Sequence, residues 1–114
     1  MAKKICVDLD GTLCTNTKGE YEKAIPLKEA ISKINYLYDK GNYIIIYTAR
    51  YMGTSRGDVK KVYKTGYQFT LNQLKKWDVK FNELIMGKPE YDLIIDDKCI
   101  TFDKNWFKKK INLI

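Results

Sequence analysis

The chain has 114 residues, of which 45% are apolar, and this length and composition fit a single globular domain over residues 1–114. It contains no histidine, which excludes a Ser-His or Cys-His nucleophile, a histidine general base and a Cys/His zinc site. No run of about 18 apolar residues occurs, no signal-peptide pattern is present, and the three cysteines lack C-x-x-C spacing. We therefore expect a cytoplasmic protein with reduced thiols and no membrane contact.

The formal net charge of +7 favours anionic partners such as phosphates, nucleic acid or an acidic surface. The lysines are scattered in short pairs rather than gathered in one basic stripe. The scattered lysines therefore fit two interpretations equally, solvated helix faces and a functional basic patch. Nucleic acid is a partner that this pattern allows but does not favour.

The first predicted element is a buried strand at residues 4–8, and an acidic pair, Asp8 and Asp10, stands at its end. Residues two apart on a strand point the same way, so both carboxylates can face one point, and Gly11 then permits a sharp turn. Two like charges this close are unfavourable unless a cation or a shared proton relieves them. The pair therefore indicates Mg²⁺, which takes oxygen ligands, and a carboxylate nucleophile. The simpler alternative is a strand end followed by an Asx turn.

A polar loop at residues 11–24 follows, which we expect to form a small flap. Pro26 suits the first turn of a helix, Gly41 suits its end, and the apolar residues between them keep helical spacing. Residues 43–48 are apolar throughout, as is typical of a strand in a parallel sheet that is covered on both faces.

Residues 49–57 predict a loop, and a second helix follows whose start has two candidate positions. It begins either near Asp58 or only after Thr65, since Gly66 weakens a long helix. Asp58 itself suits a helix N-cap. One face of this helix is apolar: Tyr67, Leu71, Leu74 and Trp77.

Short strands at residues 83–86 and 92–96, and a helical segment with Trp106 and Phe107, complete the predicted elements. The alternation of strands and helices predicts an α/β fold, a three-layer sandwich with a mainly parallel, Rossmann-like sheet. Ligands of such sheets bind at the carboxyl ends of the strands. Six polar residues fall at or just after predicted strand ends: Asp8, Asp10, Thr48, Lys88, Asp96 and Asp97.

These residues resemble the four motifs of the haloacid dehalogenase-like superfamily of phosphotransfer enzymes. The first motif, D-x-D-G-T, corresponds to residues 8–12, and the second to Thr48 in IIIYTAR. The third corresponds to Lys88 in MGKPEY, and the fourth to the acidic pair in LIIDDK. The family's dehalogenases lack an Asp at the position of Asp10, so the resemblance is to its phosphatases.

The resemblance implies a role for each matched residue. Asp8 attacks phosphorus and forms an aspartyl-phosphate, while Asp10 protonates the leaving oxygen and then deprotonates the hydrolytic water. Thr48 donates a hydrogen bond to a phosphoryl oxygen, and Lys88 offsets negative charge. The implied Mg²⁺ ligands are Asp8, the backbone carbonyl of Asp10 and Asp96, with Asp97 either binding through water or orienting Lys88. The expected substrate contacts are Gly11, Thr12, Ala49, Arg50 and Arg56.

Each of these residues also has a simpler interpretation. Thr48 suits a strand, Lys88 suits a solvated turn, and the acidic pair at 96–97 suits the start of another element. Arg50 and Arg56 are attractive as bidentate ligands of phosphate, but arginines in polar loops are usually solvated.

A closer resemblance is to small phosphatases of capsule or surface polysaccharide biosynthesis, which lack the family's cap domains. Neither insertion point for a cap has room for one here, so we expect a site that is open or covered by the 11–24 flap or by another subunit of a homo-oligomer. The predicted substrate is a phosphorylated sugar or polysaccharide precursor. The alternatives are a nucleic-acid end or nucleotide phosphatase and a non-catalytic Mg²⁺-binding module.

Overall fold

The computed structural model of the protein describes residues 2–100 and 102–109. Its sheet has three parallel strands in the order of the chain: β1 (Lys4–Val7), β2 (Tyr43–Thr48) and β3 (Glu83–Met86). Helix α1 (Lys28–Asp39) connects the first two strands and α2 (Val59–Lys76) connects the last two. The prediction of an α/β fold with a parallel sheet is confirmed.

The two helices pack on one face of the sheet, where the core lies. Both connections, from β1 to β2 and from β2 to β3, step in the same direction along the sheet. Because connections between parallel strands are right-handed, both helices then lie on the same side. The strands contribute alternate residues to this face, because side chains alternate along a strand: Val7, Ile44, Ile46, Leu84 and Met86, all at most 6% exposed. No helix in the described ranges combines the length and apolar surface needed to cross a bilayer.

The start of α2 is decided by its N-cap. Asp58 accepts a hydrogen bond from the backbone N–H of Lys61 at 3.2 Å, so the longer of the two predicted helices forms. Gly66 lies inside this helix. The ring of Tyr51 packs against it at the place where a Cβ would sit, so a residue with a side chain would not fit there. Close packing, rather than a helix end, therefore explains this glycine.

The predicted strand at residues 92–96 is not formed. This segment leaves β3 through Gly87 and Pro89, and its apolar side chains are exposed, Leu93 by 78% and Ile95 by 93%. An apolar run becomes a strand only when a neighbouring strand takes up its backbone hydrogen bonds, and this segment pairs with none of the three described strands. Instead Asp96 accepts a hydrogen bond from the backbone N–H of Lys98 at 2.8 Å, an Asx turn.

The predicted helical segment with Trp106 and Phe107 is a short 3₁₀ helix, Trp106–Lys108. Trp106 is buried and belongs to the core, and its helix contacts α1.

Candidate active site

The acidic pair lies at the floor of an open cavity at the carboxyl end of the sheet. Strand β1 ends at Val7, and Leu9 is fully buried, so the two flanking residues turn away from the core. Asp8 and Asp10 both line the same cavity, which has a volume of about 1070 Å³. The chain then turns at Gly11, whose φ of 85° is the left-handed conformation that glycine adopts without strain.

Arg50 holds the carboxylate of Asp10 through two hydrogen bonds. Its Nε lies 2.8 Å from Oδ2 and its Nη2 lies 2.9 Å from Oδ1, a bidentate pairing of a guanidinium with a carboxylate. The side chain of Arg50 is fully buried, whereas that of Asp10 keeps 17% exposure toward the cavity. Burial lowers the pKa of Arg50, but the bonds and charge of Asp10 outweigh it and raise the pKa, so the guanidinium stays charged.

Two further groups enclose this ion pair. The ring of Tyr21 lies over the guanidinium of Arg50, 4.7 Å from ring centroid to Cζ, in a cation–π contact. The thiol of Cys14 lies 3.5 Å from Oδ1 of Asp10. Burial and the charge of Asp10 raise the pKa of Cys14 to about 12, so this thiol stays protonated and is not a nucleophile.

Lys88 is the cation beside Asp8. Its Nζ lies 3.3 Å from Oδ1 of Asp8 and 5.2 Å from the centroid of the Tyr91 ring. Burial lowers the pKa of Lys88, but its hydrogen bond to Tyr91 and the charge of Asp8 raise it, and the net pKa is raised. The ammonium group therefore stays charged and balances the Asp8 carboxylate, whose Oδ2 also accepts a hydrogen bond from Thr12 at 3.4 Å.

Thr48 ends β2 at the same edge of the sheet and is only 1% exposed. Its hydroxyl oxygen accepts a hydrogen bond from the backbone N–H of Arg50 at 3.1 Å, and its carbonyl accepts one from the backbone N–H of Lys88 at 3.1 Å. A hydroxyl that accepts at its oxygen still has its proton to donate. Thr48 and its neighbour Ala49 both line the cavity.

The other predicted contacts are placed differently. Arg50 lines the cavity, but its donors are engaged with protein groups and it positions Asp10 instead of offering a free fork to a substrate. Arg56 is exposed in the loop before α2, and neither it, Gly11 nor Thr12 is among the lining residues. Thr12 acts on the site through its hydrogen bond to Asp8.

The predicted magnesium ligands are not all brought together. Asp8 and Asp10 share the cavity floor, but Asp96 and Asp97 are exposed and do not line it. Within residues 2–100 and 102–109, no three acidic, cysteine or histidine side chains are grouped to hold a metal ion. The arrangement of the described residues therefore does not by itself complete the Mg²⁺ site that the resemblance implies.

Several residues at the site were not predicted. Four residues of the 11–24 flap line the cavity: Asn16, Lys18, Gly19 and Tyr21. Four residues from later in the chain line it as well: Tyr51, Glu90, Tyr91 and Asp92. Gln73 bonds to Arg50 from behind. The flap was expected near the site, but its individual contacts depend on residues that are distant in sequence, and no local pattern indicates them.

Comparisons with known proteins bear on this geometry. The family model of the haloacid dehalogenase-like hydrolases matches residues 5–74, more than half of the chain. The chain belongs to the haloacid dehalogenase-like hydrolases. A hydrolase of the phosphatase type is therefore the general class supported for this protein.

Two solved structures resemble this haloacid dehalogenase-like chain. A structural-genomics target from Vibrio cholerae is 32% identical with a TM-score of 0.85, and the alignment covers 97% of this chain and 90% of that one. A chain of the Pnkp1/Rnl/Hen1 complex is 20% identical with a TM-score of 0.53, covering 84% of this chain and 30% of that one, and it supports the fold alone. No curated protein matches the chain.

Proposed function

We propose that the protein is a phosphomonoesterase that acts through an aspartyl-phosphate on Asp8. The observation that carries the proposal is the separate engagement of the two cavity carboxylates. Asp8 faces Lys88 at 3.3 Å, whereas Asp10 is held by Arg50 at 2.8 Å. A carboxylate beside an ammonium group suits a nucleophile, and a carboxylate oriented by a guanidinium suits a proton-transfer group.

The proposed reaction has two steps. In the first, an Oδ atom of Asp8 attacks phosphorus and the bond from phosphorus to the leaving oxygen breaks. Asp10, a carboxylate in its pair with Arg50 and protonated once the substrate is bound, gives its proton to that oxygen. In the second, Asp10 takes a proton from water, the water oxygen attacks phosphorus, and the bond from phosphorus to Asp8 breaks. The products are an alcohol and inorganic phosphate, and both carboxyl groups return to their initial states.

The surrounding donors supply electrostatic stabilisation for both steps. Lys88 and the hydroxyl of Thr48 are placed at the cavity floor, where negative charge spreads over the phosphoryl oxygens. Mg²⁺ remains part of the proposal because the resemblance to the family implies it. Neither step above is written through the ion, since the described residues do not complete its site.

The proposed substrate is a phosphorylated sugar or polysaccharide precursor. A cavity of about 1070 Å³ exceeds what a phosphate alone fills and accommodates a sugar or nucleotide. The lining residues that do not lie at strand ends, here called the rim, combine Lys18 with the acidic residues Glu90 and Asp92 and three tyrosines. A rim of mixed charge suits a neutral, hydroxyl-rich leaving group better than a polyanionic nucleic-acid strand, which a continuous basic groove would favour.

The first test is hydrolysis of p-nitrophenyl phosphate with Mg²⁺ and with EDTA, by the wild type and by Asp8→Asn. We expect turnover that requires Asp8 and is lost in EDTA. A panel of sugar phosphates, nucleotides and phosphorylated oligonucleotides then ranks the substrate classes by kcat/KM. Wild-type turnover in Asp8→Asn would refute the nucleophile assignment, and a preference for oligonucleotides would refute the proposed substrate.

A further inference from the structure

Gln73 of α2 bonds to Arg50, the cation of the Arg50–Asp10 pair. Its Oε1 accepts a hydrogen bond from Nη1 of Arg50 at 2.6 Å, and its Nε2 donates one to the carbonyl of Tyr21 at 2.8 Å. Gln73 is half-buried and is not among the lining residues of the described cavity. It therefore reaches a ligand only through other side chains.

The guanidinium of Arg50 is fixed by contacts on three sides. Two of its nitrogens bond to Asp10, the third bonds to Gln73, and the ring of Tyr21 covers one face. Since the fork is planar and rigid, fixing the third nitrogen fixes the plane of the other two. The carboxylate plane of Asp10 follows, because it is bound in a bidentate manner.

We propose that Gln73 is a positioning residue, which through Arg50 holds the carboxyl group of Asp10 in the orientation required for proton transfer to the leaving group. The inference rests on the proposed function, because it gives Asp10 the role of acid and base. Its hydrogen bond to the Tyr21 carbonyl also ties this orientation to the position of the 11–24 flap.

The test compares two substrates that differ mainly in their need for a proton. p-Nitrophenolate leaves readily without protonation, whereas phenolate from phenyl phosphate is a poorer leaving group. In Gln73→Ala we expect kcat/KM, which reports the leaving-group step and not the later hydrolysis common to both substrates, to fall at least about tenfold on phenyl phosphate and to change less than about threefold on p-nitrophenyl phosphate. Gln73→Glu keeps an acceptor for Nη1 of Arg50 but loses the donor to the Tyr21 carbonyl, and it should restore part of the loss on phenyl phosphate.

The matched control is Gln68→Ala, an exposed glutamine of the same helix whose side chain bonds only to Asn72 in the described structure. It should leave both rates unchanged. An equal loss on both substrates in Gln73→Ala, or no loss on either, would overturn the proposal, because a merely structural role does not distinguish leaving groups.

A second readout needs no activity and therefore separates this inference from the proposed function. The chain has two arginines, so in an Arg56→Lys background the only arginine Nε–H resonance in an ¹H–¹⁵N spectrum belongs to Arg50. We expect Gln73→Ala to move or broaden this resonance, and Gln68→Ala to leave it in place. An unmoved resonance would overturn the coupling through Arg50, whereas a moved resonance in a protein without Asp8-dependent turnover would place the failure in the proposed function.

Discussion

Breaking the ion pair between Arg50 and Asp10 should destabilise the protein as well as disturb the site. In Arg50→Met the aliphatic part of the side chain is kept, but Asp10 loses both of its short hydrogen bonds, at 2.8 and 2.9 Å. Removing one partner of a buried pair costs about 3–5 kcal/mol. Because Asp10 keeps 17% exposure, we expect the low end of that range, about 3 kcal/mol.

Urea unfolding at neutral pH measures this loss as a change in midpoint at constant m-value. The control is Lys23→Met, which removes an exposed pair with Glu20 of similar length, 3.0 Å, and should cost less than about 1 kcal/mol. Adding Asp10→Asn to Arg50→Met should recover part of the loss, because the uncompensated charge is then gone. A cost for Arg50→Met no larger than that of the control would refute the argument.

Three further predictions follow from burial, charge and packing. In the native protein at pH 8, iodoacetamide should label exposed Cys99 readily and leave Cys14 unlabelled. The reason is that a pKa of about 12 leaves only about one Cys14 thiol in ten thousand as thiolate. Comparable labelling of the two cysteines would contradict the burial of Cys14. The folded-state pKa of Lys88 is raised from 10.5, so its stabilisation is complete below that pH and is lost as the pH rises through the folded pKa. The difference in unfolding free energy between wild type and Lys88→Met should therefore shrink above pH 10.5. A difference that grows there would contradict the raised pKa of Lys88. Gly66→Ala should destabilise the protein by about 1–3 kcal/mol despite the higher helix propensity of alanine, because the new Cβ overlaps the Tyr51 ring; increased thermal stability would exclude that contact.

The regular elements near the amino terminus could be predicted because their signals are local. The apolar runs at residues 4–8 and 43–48 predict strands, and the structure has β1 and β2 there. The start of α2 had two candidates because Gly66 weakens a helix locally. Only the packing of Tyr51 against that glycine shows why it lies inside one.

The segment at residues 92–96 shows the limit of such signals. Its apolar, β-branched run is as strand-like as that of β1, but a strand depends on a partner that the run itself does not specify. Its predicted ligand, Asp96, accordingly bonds to Lys98 two residues away instead of joining the cavity floor.

The site was predicted at the level of strand ends but not at the level of side-chain pairing. Asp8, Thr48 and Lys88 fall at the cavity because parallel strands end at one edge of the sheet. Arg50 was expected to bind a substrate, yet it bonds to Asp10, 40 residues away, and to Gln73, 23 residues away. Such long-range pairs have no spacing by which the sequence alone could indicate them.

The most direct test of the central claim, that Asp8 is the nucleophile, is to trap the covalent intermediate. The protein is mixed with p-nitrophenyl phosphate and Mg²⁺, quenched in acid during turnover, digested and analysed by mass spectrometry. We predict that the peptide containing Asp8 gains the mass of one phosphoryl group, and that hydroxylamine removes it, as expected of an acyl phosphate. Turnover without this adduct, or an adduct on another residue, would contradict the account.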